Sequence, residues 1–250
     1  PKAWRMAVHV PLPSSNHVEA VSRAFFKMNE MFETCVLPEY KTSLHLCEAP
    51  GGFVQSTCLK CTNKLEQWSA ISLKTSDIVF HRALDTSKGT ILDVDGENNI
   101  LHQSTRDQIV MQVDFVTADG ATVESHDSLE ADHYPLLLAQ TDVALRCLNK
   151  GGDFVCKYFE GATVDTQLWI AVLTNCFENV SLIKPKTSRA TNSERYVICR
   201  SFVEYKDIIN CWYVVNELWR DDLQEVVDKQ AAEQSKALEQ SFAFLKTCSQ

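Results

Sequence analysis

Leu44-His45-Leu46-Cys47-Glu48-Ala49-Pro50-Gly51-Gly52-Phe53 runs from an apolar stretch into a paired glycine. Ser43–Cys47 reads as a short strand, Glu48–Gly52 as a tight turn, and the residues to about Cys61 as a helix. Glycines at such a turn let the backbone bend sharply and approach a ligand with no side chain in the way. His45 fits a packed strand residue better than a base. A paired glycine alone is common in loops between strands and helices, so the fold is decided by what surrounds it.

Six further segments read as strands: Trp68–Leu73, Thr90–Leu92, Val113–Thr117, Asp153–Tyr158, Val180–Ile183 and Tyr196–Arg200. Helical patterns separate most of them, notably Tyr134–Leu148 and Val164–Cys176. Upstream, Asn16-x-x-Glu19 is a capping box, and Val18, Val21, Phe25, Met28 and Phe32 form one apolar stripe. A helix over about residues 16–33 is expected, with Lys27 off the stripe. Alternating strands and helices predict an α/β domain built on a mostly parallel, seven-stranded sheet with helices on both faces. Ligands collect at the carboxyl ends of such strands. Asp119 and Lys157 lie at or just past the ends of theirs.

After Val203 the pattern changes. Ile208, Trp212, Val215 and Trp219, then Leu238, Phe242 and Leu245, recur at helical steps, with polar Asp228–Lys236 between or within the helices. The expected organisation is a domain over residues 1–203 and a C-terminal helical extension over 204–250. Those helices are expected to pack on the parent domain; a protein partner is the alternative.

The 250 residues are 45% apolar and 23% charged, ordinary for a globular protein. The apolar runs are short and interrupted, so no membrane span is expected. Pro1-Lys2-Ala3-Trp4 opens no signal-peptide pattern, and a first residue other than Met suggests an excised domain or processed chain. Ten cysteines are scattered, several within apolar runs, which fits a reducing intracellular compartment, cytoplasmic or nuclear. Cys58 and Cys61 are the only close pair and no second pair follows, so no metal site is expected.

The net charge of −9 argues against a protein that coats nucleic acid non-specifically. Charge is nevertheless uneven. Lys184, Lys186, Arg189, Arg195 and Arg200 face Glu194 alone, whereas residues 201–250 carry nine acidic against five basic side chains. A basic ridge of this kind suits contact with a few phosphates.

Four polar residues stand far apart in recognisable runs: Lys27 in SRAFFKM, Asp119 in VTADG, Lys157 in GGDFVCKYF and Glu194 in SERYVIC. Lys27 alone reads as an exposed helix lysine, Glu194 as a loop charge and Asp119 as a turn former. Lys157 is different, because a lysine within an apolar strand costs too much to bury without a partner or a purpose. A second lysine and burial both lower a lysine's pKa, while carboxylates oppose that shift.

In order and surroundings, the glycine turn and these four runs resemble the FtsJ-like RNA 2′-O-methyltransferases, over roughly Ser22 to Arg200. The LCEAPG spelling, and KPKTSR at 184–189 followed by NSERY at 192–196, look like the eukaryotic and viral branch that methylates mRNA caps. The resemblance implies a Rossmann-like class I methyltransferase fold and S-adenosyl-L-methionine as cofactor. It implies a catalytic tetrad of Lys27, Asp119, Lys157 and Glu194, with Lys157 as the base. Cofactor contacts fall on Cys47, Glu48, Ala49, Pro50, Gly51, Gly52, Phe53 and Asp119. Glu48 is expected to face the cationic end of the cofactor. Lys74 and Thr90 stand where relatives place acids, and Asp93 is the nearest substitute. RNA, with 5′-capped mRNA as the expected substrate, is implied as partner. Arg23, Lys184, Lys186, Ser188 and Arg189 are candidate contacts, and Tyr158 and Phe159 candidate stacking neighbours, although Phe159 fits a core residue slightly better. Two alternatives stay open: a ribosomal or transfer RNA 2′-O-methyltransferase, and a non-catalytic RNA- or cofactor-binding module of a capping complex.

Overall fold

A computed structural model of the chain describes residues 19–122, 129–204, 225, 227–229 and 231–240. Seven strands form one sheet: β1 (Thr42–Leu46), β2 (Gln67–Ile71), β3 (Gly89–Ile91), β4 (Val113–Ala118), β5 (Leu148–Phe159), β6 (Phe177–Ile183) and β7 (Glu194–Phe202). Their spatial order is β3-β2-β1-β4-β5-β7-β6. Neighbours are parallel up to β5, and β7 inserts antiparallel between β5 and β6. The expected α/β architecture is therefore present, and the order reverses between β1 and β4, where open sheets of this kind form a crevice.

Five helices surround the sheet with bounds in the described residues: α1 (Arg23–Thr34), α2 (Gly52–Lys60), α3 (Gln103–Asp107), α4 (Leu129–Cys147) and α5 (Val164–Cys176). Central strands are buried almost throughout because both faces are covered, including the polar Ser43, His45 and Thr117. On one face Met28 and Phe32 of α1 and Phe53 of α2 pack with Trp68, Phe115 and Tyr196. On the other, Leu137 and Val143 of α4 and Trp169 of α5 pack with Phe154, Cys156 and Val197. His45 is fully buried between them, its ring nitrogens 2.9 Å from Ser43 Oγ and 2.8 Å from Thr117 Oγ1. Burial lowers its pKa to about 3, so it is a neutral strand residue.

Several boundaries differ from the sequence reading. Asn16 and Val18 lie outside the described residues, and α1 begins at Arg23 rather than near residue 16. Residues Glu19–Ser22 are irregular because Gln55 of α2 captures their backbone: its Oε1 accepts the Val21 N–H at 2.9 Å, and its Nε2 donates to the Glu19 carbonyl at 2.8 Å. Helix α4 starts at Leu129, ahead of the expected Tyr134. Its first turn is tied down by Glu130, whose carboxylate accepts the N–H groups of Ala162 and Thr163 at 3.2 and 3.1 Å. Strand β5 begins at Leu148, since pairing with β4 continues past Gly151 and Gly152 through an irregularity between Val113 and Phe115. The described residues between 225 and 240 are helical, including 228–229 and 231–236 of the polar stretch. Ile208, Trp212, Val215, Trp219, Phe242 and Leu245 lie outside the described residues. Among the described residues no helix is long and apolar enough to cross a membrane.

The glycine turn joins two packed elements. Gly51 has φ +108°, a left-handed conformation, and caps α2. Gly52 brings α2 against α1 so closely that a Cβ there would lie 2.3 Å from Ser22 Oγ and 2.7 Å from the Phe25 backbone nitrogen. Gly52→Ala is therefore expected to force the helices apart and to lower stability by about 1–3 kcal/mol. Urea denaturation checks this; an unchanged midpoint contradicts the close approach.

Candidate active site

Each strand end delivers one part of the site. Asp119 follows β4, Lys157 lies near the end of β5, and Glu194 opens the antiparallel β7, so all three sit at the carboxyl end of the parallel strands. The β5–β7 register sets Lys157 opposite Tyr196 and Phe159 opposite Glu194. Lys27 reaches the same place from α1.

The four charged heads form one connected chain through Tyr196. Glu194 Oε1 lies 2.7 Å from Lys27 Nζ, and Lys27 Nζ donates to the Tyr196 hydroxyl at 3.3 Å. That hydroxyl donates to Asp119 Oδ1 at 2.9 Å, and the same oxygen lies 3.3 Å from Lys157 Nζ. The tightest bond of Lys157 is to the Asp119 backbone carbonyl, at 2.7 Å. Sequence reasoning gathered the four charged residues but missed Tyr196 as the link. The available signal was its position two residues after Glu194, which puts both side chains on one face of a strand.

Burial and charge pull in opposite directions here. Lys157 is 6% exposed and Glu194 8%. Burial pushes the Lys157 ammonium down most strongly, yet Asp119 and Glu194 together hold its pKa above the ordinary lysine value. The balance of opposing terms expected from sequence therefore falls on the side of the carboxylates. Burial raises Glu194, but Lys27 and Lys157 outweigh it and keep the carboxyl below its usual range.

A cavity of about 420 Å³ opens beside Asp119, lined by Cys47, Ser72 and Gly120 and floored by Ile100, Leu101 and Leu136. Its size and mixed walls suit a nucleoside-sized ligand. Of the predicted cofactor residues, Cys47, Ala49 and Asp119 line it. Pro50, Gly51, Gly52 and Phe53 form the turn and the first residues of α2. Glu48 points inward: its Oε1 accepts the N–H groups of Phe53 and Val54 at 2.5 and 3.3 Å. Burial, with the nearby Asp119 charge, holds Glu48 well above the carboxylate range. It thus caps α2, while its Oε2 is buried with no hydrogen-bond partner. Asp93 is exposed and paired with Lys74, and it does not line the cavity.

A second, smaller pocket of about 170 Å³ lies on the other side of the cluster. Arg23, Ser188 and Arg189 line it together with Lys27, Asn192 and Glu194. Three of the five predicted RNA contacts therefore converge. Lys186 is exposed nearby in sequence, outside that lining. Lys184 does not line the pocket either: its ammonium donates to Asn192 O, Asn192 Oδ1 and Glu194 O at 2.6, 2.9 and 3.0 Å, so it braces the loop. Tyr158 is a correction, whereas Phe159 is the core residue that the sequence slightly favoured. They are 1% and 8% exposed, packed against Trp169 and His133, and are not available for stacking.

The fold and the cluster at its edge define a Rossmann-like class I methyltransferase domain. The profile of the FtsJ-like methyltransferase family matches residues 20–202, and the chain belongs to that family. Among proteins of similar sequence is the Drosophila melanogaster cap-specific mRNA (nucleoside-2′-O-)-methyltransferase 2, 33% identical over 80% of this chain and 32% of that protein. Another is the corresponding methyltransferase 1 of the same fly, 29% identical over 77% of this chain and 26% of that protein. The chain thus spans about a quarter to a third of the length of these relatives. A crystal structure of a ribosomal RNA methyltransferase from Plasmodium falciparum superimposes with a TM-score of 0.54 at 20% identity, covering 74% of this chain and 99% of that one.

Because the Glu194 pKa is depressed on folding, its contribution to stability is full above the unfolded value of about 4.3 and is lost as pH falls through the folded value. Glu194→Gln should therefore flatten the acid limb of stability against pH below about 4.3. Chemical denaturation over that range tests it, and identical slopes for the two proteins contradict the depressed pKa.

Proposed function

We propose that this chain carries the methyl-transferring domain of an S-adenosylmethionine-dependent RNA 2′-O-ribose methyltransferase acting on 5′-capped mRNA. The observation that carries this reading is the chain Glu194–Lys27–Tyr196–Asp119–Lys157, which lies between the 420 Å³ cavity and the pocket containing Arg23 and Arg189. The relatives' names supply the cap as the substrate class.

The cavity fits the cofactor. It is nucleoside-sized, it has an apolar floor, and Gly120 sits where a Cβ would lie 2.5 Å from Gln140 Oε1, so a side chain there would press into the wall. Cys47, Ala49, Asp119 and Gly120 are the residues that would hold it. When bound, S-adenosylmethionine supplies an activated methyl group on a sulfonium, whose transfer requires an in-line oxygen nucleophile.

The protein's part is to present and deprotonate that oxygen. Arg23 and Arg189 neutralise phosphates of the incoming strand. Lys157 is the base. Its raised pKa leaves it mostly protonated at rest, and a second positive charge brought alongside lowers that pKa. Asp119 and Glu194 hold the two ammonium groups in fixed positions, and Tyr196 ties the two ion pairs into one unit.

Three results are expected. Lys157→Ala should lose at least about 10²-fold in turnover. Lys157→Arg should fail as well, because arginine stays protonated. For the unaltered protein at saturating cofactor, the rate should rise with pH from about 7 to 9, since the neutral fraction of a lysine grows roughly tenfold per pH unit below its pKa. Full turnover by either variant, or a flat pH profile, contradicts Lys157 as base. The reading as a whole is tested by mass spectrometry of a short capped RNA after incubation with labelled S-adenosylmethionine. A methyl on a cap-proximal 2′-oxygen is the expected product. Equal transfer to uncapped RNA favours a ribosomal or transfer RNA substrate, and absence of cofactor binding by calorimetry favours a non-catalytic module.

A further inference from the structure

Helix α1 touches the 184–194 loop at two places. Lys27 holds its far end through Glu194, as described. One helical turn on, Glu30 holds its near end. Glu30 Oε1 accepts the Lys186 N–H at 2.7 Å, and Oε2 accepts both the N–H and the hydroxyl of Thr187, at 2.9 and 2.8 Å. Residues three apart lie on one helix face, so the two side chains grip a single loop from the same side.

What the loop carries makes this consequential. Ser188, next to the two clamped amides, donates its hydroxyl to Glu194 Oε1 at 2.8 Å, and Arg189 lines the small pocket together with Arg23. A circuit therefore closes: α1 through Glu30 to residues 186–187, through Ser188 to Glu194, and back through Lys27 to α1. Loops with exposed backbone hydrogen bonds and few apolar contacts open most easily. A carboxylate accepting three hydrogen bonds is a strong counterweight.

Building on the function proposed above, we infer that Glu30 is a positioning residue: it fixes the 184–189 segment to α1, so that Arg189 and Arg23 face one another across the RNA pocket and Ser188 stays on Glu194. It touches neither cofactor cavity nor reacting atoms. Its removal acts on RNA engagement and leaves the cofactor side alone.

The test compares Glu30→Ala, the milder Glu30→Gln, and Glu33→Ala as a control, since Glu33 lies on the same helix and pairs with Lys60 at the surface. Hydrogen exchange of the Lys186 and Thr187 amides reads the clamp directly, without any activity. Both variants at Glu30 should speed that exchange while Glu33→Ala does not. In the transfer assay on capped RNA, Glu30→Ala should raise the KM for RNA by about tenfold to a hundredfold, the scale on which small misplacements act. Glu30→Gln, which keeps one acceptor oxygen, should fall between Glu30→Ala and the unaltered protein. Affinity for S-adenosylmethionine, by calorimetry, should be unchanged in both. Exchange at those amides indistinguishable from the unaltered protein overturns the inference. So does an equal loss of cofactor affinity in Glu30→Gln. Failure of the unaltered protein to methylate RNA would instead overturn the proposed function, and the exchange experiment would still decide the clamp.

Discussion

The ion pair between Asp119 and Lys157 is the constraint on which the rest of the site depends. Parallel pairing sets the ends of β4 and β5 side by side, and Lys157 then binds both the backbone carbonyl and the carboxylate of Asp119. An unpaired ammonium in that position would lose its charge to burial. With its partner it keeps the charge, and it gives Tyr196 and Lys27 something to be ordered against. The antiparallel insertion of β7 adds the remaining pieces, because the first and third residues of that strand, Glu194 and Tyr196, meet the cluster at the strand ends.

Helix α1 joins two duties in one element. Its apolar side, Phe25, Met28, Met31 and Phe32, is buried against the sheet and α2. Its polar side delivers Arg23 and Lys27 to the small pocket and Glu30 to the loop beyond. The close contact at Gly52 sets how deeply α1 sits, and hence where those polar heads arrive. Packing on one face of the helix thereby sets the chemistry on the other.

Much of this was legible in the chain because the signals are local. Seven strand candidates, most of them separated by helical patterns, are what a sheet covered on both faces requires, and Lys157 stood out as a charge in an apolar strand. Four features had no local signature. The start of α1 depends on Gln55, more than thirty residues away. Lys184 reads as a surface cation, yet the loop folds back and supplies it with three oxygens. Tyr158 reads as an accessible aromatic beside the lysine, but Trp169 of α5 packs over it, as His133 near the start of α4 packs against Phe159. The Glu30 contacts join residues more than 150 positions apart. The direction of the Lys157 shift belongs to the same group, since it depends on distances between charges that sequence order does not contain.

The most direct measurement is an NMR titration of the lysine side-chain resonances, with Lys157 assigned by its disappearance in Lys157→Arg. If the two carboxylates outweigh burial, the Lys157 signal titrates above the value of about 10.4 usual for lysine. A midpoint at or below that value would mean that burial prevails and that the pair with Asp119 does not organise the site.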